Sequence, residues 1–324
     1  MDFNALFNDF NLKNVLIVGD SMIDAYMWGE INRISPEAPV SVVEVKKHEN
    51  RLGGAANVAL NIQSLGANPI LCSVIGDDSQ GVLFNELMVK SSLSTKGIMV
   101  SKDRKTTLKT RVISENKHQL RIDEEDTHAI KIERKFISMI KGFIESSDVV
   151  ILQDYNKGVL TTKVIEEVIE ISNLIGIPTI VDPKKENFLN YKNCTIFKPN
   201  LVEINTGMNL SLSSDNKEEI EISTRKLRLL LNAKGILLTL SSDGICINTE
   251  EKFVHNSSFK RNIVDVSGAG DTVLSVAALC LAINLDYITL SVLASLAGGI
   301  VCEEVGVVPI KKERLLVETK KITH

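Results

Sequence analysis

The sequence is poor in aromatic residues (5%), has a single tryptophan, and holds only seven prolines among its 324 residues. It also lacks an excess of charge of one sign, since 37 basic and 41 acidic residues leave a net charge of −4. A nucleic-acid surface built on overall basicity is excluded, and no block of like charge marks a polyanion-binding tail. The five cysteines, Cys72, Cys194, Cys246, Cys280 and Cys302, are odd in number and far apart, and no two have C-x-x-C spacing. That excludes a disulfide framework and a closely spaced zinc or redox site, and predicts buried free thiols in a reducing cytoplasm. No hydrophobic run is long enough for a membrane span. Asn284 and Asp286 divide the most apolar region, Val273 to Cys302, into runs of about thirteen residues, short of the ~20 that a bilayer needs. Met1 to Asn14 carries Asp2 and Asp9 and no apolar stretch of the kind a secretory signal requires, so a cytoplasmic protein without membrane partners is expected.

Several chemical signatures are missing too. No G-x-x-x-x-G-K-[ST], G-x-G-x-x-G, H-E-x-x-H or G-x-S-x-G occurs. This removes the P-loop and weakens the case for a nicotinamide dehydrogenase. The histidines (His48, His118, His128, His255 and His324) are scattered and suggest no ligand cluster.

What is present is a globular composition, 44% hydrophobic and 24% charged. Length alone gives about two domains, although α/β folds often run longer as one. A chain of this size buries about three quarters of its unfolded surface and needs no covalent staple.

Short apolar runs recur and stop at a turn or polar residue: Val15–Val18, Ile70–Ile75, Val149–Leu152, Thr179–Val181, Thr195–Phe197 and Ile236–Leu240. Strands apolar on every residue are buried on both faces, as in a parallel sheet covered by helices. Helical patterns lie between them at Ala55–Leu65, Gln80–Met88, Ile130–Ser146, Thr161–Leu174 and Asn216–Leu231, with two more helices across Val273–Cys302. Thr161-Thr162 supplies an N-cap, and Gly176 with Pro178 a stop. The class is α/β, doubly wound. Two segments, about 24–50 and 98–123, break the rhythm. They carry strand patterns at Val40–Val45, Thr106–Ser114 and Gln119–Ile122, with Glu115-Asn116-Lys117 as a turn. Pattern alone leaves a separate small sheet and an antiparallel extension of the main sheet about even. The Ser/Asn-rich stretch Asn209–Lys217 reads as a loop, and no repeat or linker divides the chain.

Four motifs could carry chemistry. The first is Asp265-Val266-Ser267-Gly268-Ala269-Gly270-Asp271-Thr272, opening an apolar helix. Its glycines let backbone approach a ligand, helix N–H groups make an anion hole, and Asp271 stands where it could take a proton from an attacking hydroxyl. Taken alone, a tight turn with Asp271 as a helix N-cap is favoured. The second is Gly53-Gly54-Ala55-Ala56-Asn57, with Asn57 placed to bind sugar hydroxyls or the glycines simply allowing close packing. The third is Gly19-Asp20-Ser21-Met22-Ile23-Asp24, past the first strand, where ligands of open α/β sheets bind and carboxylates suit a polyol. The fourth is Lys198-Pro199-Asn200-Leu201-Val202-Glu203. Asn200 and Glu203 could hold a hydrated Mg²⁺ near phosphates, or form a capping box, the better wager in isolation. Asp154, Asp182 and Lys184 are further polar groups at strand ends.

In this order the motifs resemble the ribokinase-like (PfkB) carbohydrate kinases, from about Asn14 to about Pro309. More narrowly, Arg33–Val40 (RISPEAPV), Gly53–Ala59 (GGAANVA), Lys109–Ile113 (KTRVI), Gln119–Glu125 (QLRIDEE), Asp154–Gly158 (DYNKG) and Asp182–Lys184 (DPK) resemble the D-glycero-β-D-manno-heptose-7-phosphate kinases. The resemblance implies one α/β/α kinase domain over residues 1–324, with a small β lid made by the two insertions. It implies ATP-dependent phosphorylation of heptose 7-phosphate at C1, for ADP-heptose and lipopolysaccharide core. Ribose, fructose, another ketose or a nucleoside is the alternative acceptor within the family, and a catalytically silent sugar- or nucleotide-binding regulator the alternative outside it. In many bacteria the kinase is fused to a nucleotidyltransferase; with no H-x-G-H after any histidine, the kinase half alone is expected.

Carried over by motif, Asp271 would be the base and Gly268, Ala269 and Gly270 the anion hole. Asp24, Gly53, Gly54, Asn57 and Asp154 would bind the sugar. Arg33, Arg51, Lys109, Arg111, Lys157, Lys184 and Lys185 are the candidate cations for its phosphate. Asn200 and Glu203 would organise Mg²⁺ through water, and Ser241, Gly244 and Ser267 would flank ATP. Three departures stand out: Ser241-Ser242 where Gly or Arg is commoner, Ser267 for Thr, and Val307-Val308 in place of small hydroxyl residues. The last weakens the expectation of a monovalent-cation effect. The edges of a lid sheet would be unpaired in a monomer, so a homodimer joined through the lids is expected.

Overall fold

The computed structural model describes residues 1–115 and 117–322. Asn116 of the expected turn and His324 lie outside them. In chain order the strands are β1 (Asn14–Gly19), β2 (Ser21–Ile34), β3 (Ser41–Gly54), β4 (Asn68–Gly76), β5 (Ile98–Ser101), β6 (Leu108–Ser114) and β7 (Lys117–Glu124). They continue as β8 (Val149–Gln153), β9 (Thr179–Asp182), β10 (Ile196–Phe197), β11 (Gly235–Thr239), β12 (Ile245–Thr249) and β13 (Phe253–Asn256). Nine of them form one sheet in the order β13-β12-β11-β10-β9-β8-β1-β4-β5, and four form a second in the order β3-β2-β6-β7.

The large sheet is parallel from β11 to β5, and β12 and β13 add an antiparallel edge. Its central strands are apolar on both faces because each face is roofed. Val15 and Ile17 of β1, with Val149 and Ile151 of β8, belong to one core beneath the helices Ala55–Ser64, Ala269–Ala282 and Tyr287–Val301. Leu16, Val18, Val150 and Leu152 face the other core, beneath the helices Glu133–Ile144, Thr162–Leu174 and Lys217–Leu231. Each such side chain contributes about 1.5–3 kcal/mol by leaving water. Thr161 caps its helix by accepting from the Val164 N–H, and Gly176 follows that helix with φ of 77°. Asp286, which divides the apolar C-terminal region, caps the second of its two helices. All five cysteines are free and buried. Among the described residues no helix is long and apolar enough to cross a membrane.

The second sheet is separate from the first, so the edge-extension alternative does not hold. β2 is its spine. It pairs antiparallel with β3 along its whole length and parallel with β6, and β6 pairs antiparallel with β7. Two details differ from the pattern reading. Ile98–Ser101 pairs in parallel with β4 and belongs to the large sheet. The long strand β2 is not legible in the sequence because its outer end, Glu30 to Ile34, mixes polar and apolar residues with no strict alternation.

Candidate active site

The carboxyl ends of β8, β9, β10 and β11 meet in one place. There a cavity of about 160 Å³ is lined by Tyr155, Asp182, Lys184, Lys198, Asn200, Glu203, Thr239, Gly268, Gly270 and Asp271. A roomier depression of about 380 Å³ opens near Asn173, Pro178, Thr195 and Lys234, at the amino ends of the strands. The smaller cavity is the candidate because it collects the charged groups and lies at the ligand edge of an open α/β sheet.

Gly268 is the N-cap of the helix Ala269–Ala282, with φ of 81° and no side-chain cap. Asp271 therefore does not cap this helix, and the turn-and-cap reading fails on geometry. Its carboxylate enters the site and receives three donors. Asn57 Nδ2 lies 2.7 Å from Oδ2, and Tyr155 Oη and Gln153 Nε2 lie 2.8 and 3.3 Å from Oδ1. Burial, only partly offset by the bonds from Asn57 and Tyr155, raises its pKa to about 6. A buried base poised near neutrality suits proton abstraction. The space beside Gly270 is open, since a Cβ built there meets nothing within 4 Å beyond its own helix and neighbours.

Asn57 lies in the first turn of the helix Ala55–Ser64 and is buried. The turn before it requires glycine for space, since a Cβ at Gly53 would lie 2.2 Å from Asp24 Oδ2. Asp24 is ion-paired with Arg111. The guanidiniums of Arg111 and Arg51 sit 5.5 and 4.9 Å from the centroid of the Tyr26 ring. Arg51 Nη1 also donates to the Val307 carbonyl at 3.1 Å, joining the small sheet to the loop that follows the C-terminal apolar helix.

On the opposite wall Asn200 and Glu203 form a complete capping box, each bond 2.8 Å. Glu203 is ion-paired with Lys184, whose Nζ lies 5.7 Å from the Tyr155 ring centroid. At the floor, Lys198 Nζ lies 3.1 Å from Asp182 Oδ2.

The pfkB family model, described as pfkB family carbohydrate kinase, matches residues 12–313. The chain belongs to that family. Among its curated relatives, the bifunctional protein HldE of Desulfatibacillum aliphaticivorans is 41% identical over 311 residues, which is 94% of this chain and 63% of that protein. HldE of Geotalea uraniireducens is 35% identical over 98% of this chain and 65% of its own length. The chain thus spans a little under two thirds of these relatives. The fold is also that of phosphofructokinase-2 from Escherichia coli, crystallised with potassium (TM-score 0.79, 16% identity, 96% of this chain and 99% of that one). Arabidopsis thaliana ribokinase complexed with ribose and ATP is similar as well (TM-score 0.71, 18% identity, 94% and 98%).

Within this pfkB fold the expected residues separate into three groups. Asp271, Gly268, Gly270, Lys184, Asn200 and Glu203 line one cavity, Asn57 adjoins it through its bond to Asp271, and Asp24, Gly53 and Arg111 lie together in the small sheet. A second group makes hydrogen bonds or ion pairs outside the cavity lining. Asp154, expected to bind sugar, accepts from Tyr191 Oη (2.7 Å), Asn156 N (2.7 Å) and Asn187 Nδ2 (3.1 Å). Asp20 accepts from the backbone N–H groups of Tyr155 (2.8 Å), Lys157 (3.0 Å) and Val159 (3.0 Å). Lys109 and Lys157 both pair with Glu125. The third group is outside the cavity lining. Arg33 is exposed near the outer end of β2. Ser241 and Gly244 flank a turn before β12, while Ser267 N donates to Asp265 Oδ1.

The sequence reading gave no role to Tyr155, Gln153 or Lys198, although Lys198 opens the fourth motif. Tyr155 sits inside the DYNKG segment, so its position was visible; its bond to a residue 116 positions away was not.

Proposed function

We propose that the chain transfers the γ-phosphoryl group of ATP to D-glycero-β-D-manno-heptose 7-phosphate at its C1 hydroxyl, a step toward ADP-heptose. The observation that carries the reading is the buried Asp271 carboxylate, held by Asn57 and Tyr155 beside an uncapped helix N-terminus with space at Gly270. The heptose motifs in the lid and strand-end segments and the kinship with HldE proteins favour this acceptor.

In this mechanism Asp271 takes the proton of the acceptor hydroxyl, whose oxygen attacks the γ-phosphorus in line. Gly268 and Gly270 present backbone N–H groups to the phosphoryl oxygens, whereas the Ala269 N–H, expected to share in the anion hole, donates to the Val266 carbonyl at 3.3 Å. Asp24 and the glycine turn before Asn57 hold sugar hydroxyls, and Arg111 stands beside Asp24 for the sugar's phosphate. The lid closes over the sugar to exclude water. ATP lies along the turn at Ser241–Gly244.

Mg²⁺ fits here as a mostly hydrated ion. Among the described residues no three His, Cys, Asp or Glu side chains form a metal cage, and Mg²⁺ typically uses phosphates, waters and one or two carboxylates. Glu203 is already bonded to Lys184 and to the Asn200 N–H, so Asn200 and Glu203 would hold the ion through water. When bound, it neutralises charge on the β- and γ-phosphates.

A panel of acceptors tests the assignment. Heptose 7-phosphate is expected to be phosphorylated far faster than ribose, fructose, fructose 6-phosphate or adenosine; turnover of one of those with none of the heptose contradicts it. The pH profile gives an independent check. Asp271 must be ionised to accept a proton, and its pKa is raised to about 6. The turnover number should therefore fall as pH drops through about 6, with a one-proton slope, and be level above it. A rate that stays flat down to pH 4.5 would contradict Asp271 as base.

The proposal extends to assembly and place of action: a cytoplasmic homodimer with lid against lid. β7 is exposed along all its residues and forms an open edge, with Leu120 57% and Ile122 45% exposed. Sedimentation at micromolar concentration should give twice the chain mass, and a monomer would refute this.

A further inference from the structure

Lys198 is the one cavity lysine to which no role has been given. It follows β10, and its side chain is 3% exposed. Burying an ammonium costs several kcal/mol unless its donors are satisfied. The group has three N–H donors, yet among the described residues its one polar side-chain partner is Asp182, at 3.1 Å. Asp182 Oδ2 also accepts from Gln153 Nε2 at 3.3 Å, and the same amide nitrogen reaches Asp271 Oδ1 at 3.3 Å. Lys198, Asp182, Gln153 and Asp271 therefore form one row along the cavity floor.

A purely structural ion pair is a poor account of this row. A buried pair is often no better for stability than an apolar pair of equal volume, and such a pair has no reason to line a polar cavity. The cavity holds three carboxylates (Asp182, Glu203 and Asp271) against two ammoniums (Lys184 and Lys198). Without Lys198 it would repel an incoming polyphosphate. Lys184 is 32% exposed and bound to Glu203, whereas Lys198 is buried at 3% exposure.

We propose that Lys198 is a catalytic residue that donates hydrogen bonds to the oxygens of the transferring phosphoryl group, with Asp182 holding its ammonium in position before nucleotide arrives. This rests on the kinase reading above. In the step, the acceptor O–H gives its proton to Asp271 and its oxygen forms the new P–O bond. The bond from the γ-phosphorus to the β,γ-bridging oxygen breaks, and ADP leaves with that electron pair. Lys198 takes no part in the proton transfer and stabilises charge spread over the phosphoryl oxygens.

The test compares the wild type with Lys198→Met and with the charge-balanced double variant Lys198→Met/Asp182→Asn. For each, kcat is measured from pH 6 to 9, and calorimetry gives the affinities for ADP and for the non-hydrolysable analogue AMPPNP. Expected is a kcat loss of about 100- to 1,000-fold, the range for removing one preorganised charge-stabilising donor, persisting at pH 9. The AMPPNP-to-ADP affinity ratio should fall at least about tenfold, as for a lost charged hydrogen bond, with ADP affinity itself little changed.

An unchanged ratio overturns the proposal. So does a rate loss that vanishes at pH 9, because Lys198 would then only set the protonation of Asp271. Recovery of wild-type rate in the double variant also overturns it, because the pair would then be structural. Should Lys198→Met fail to fold, the double variant carries the comparison. If the wild type phosphorylates no sugar phosphate, the kinase reading fails, and the nucleotide ratio still decides whether Lys198 meets the γ-phosphate.

Discussion

Replacing Asp271 with asparagine should lower kcat by at least about a hundredfold, the lower end of what a positioned general base contributes. The change is nearly isosteric, so the loss reports chemistry rather than packing. Asn57 and Tyr155 both donate to the Asp271 carboxylate, and a carboxamide can accept only one of them well. The remaining mismatch should cost about 1–3 kcal/mol of stability if it stays buried and dry. Nucleotide affinity should survive, because the backbone N–H groups near Gly268 and Gly270 are untouched. Calorimetry with ADP alongside steady-state rates separates the two effects. A variant with near-normal turnover would remove Asp271 from the mechanism.

The second large effect is on folding. Asp20→Ala should destabilise the protein by about 3 kcal/mol or more. The Asp20 carboxylate accepts from three backbone N–H groups, those of Tyr155, Lys157 and Val159, and each buried donor left unpaired costs about 1–3 kcal/mol. Some of that is returned, because burial and the nearby Asp154 make the Asp20 charge unfavourable and raise its pKa to about 6. The bonds win, since three donors outweigh one partly compensated carboxylate. Activity should fall as well, because the anchored loop carries Tyr155 to Asp271. Asp20→Asn keeps one carbonyl acceptor and should sit between Ala and wild type. Denaturant midpoints measure the series, and an unshifted midpoint for Asp20→Ala would show that these bonds do not hold the loop.

These two aspartates show what a sequence can and cannot tell. The strands β1, β4, β8, β9 and β11 were legible because strands buried on both faces must be apolar at every position. Asp20, Asp154, Asp182 and Lys198 could be placed at strand ends on the same basis. Which of them faces a ligand could not be read, since that depends on partners far along the chain. In sequence Asp20 and Asp154 resemble Asp24 and Asp271; the structure adds that they accept from Tyr155, Lys157, Val159 and Tyr191. The Asn57–Asp271 bond spans 214 residues, and no local pattern encodes it. The small sheet was half legible, because β3 and β6 alternate in part whereas β2 carries two register shifts in its pairing with β3. The capping box at Asn200 and Glu203 was fully legible, because both of its bonds are local.

Phosphorus NMR of the protein with ATP, Mg²⁺ and heptose 7-phosphate tests the central claim most directly. The account predicts that the γ-phosphate resonance of ATP disappears as a new phosphate ester appears, coupled to the anomeric proton at C1, and that Asp271→Asn suppresses both changes. ATP left intact, or hydrolysed to free phosphate without any sugar 1-phosphate, would contradict it.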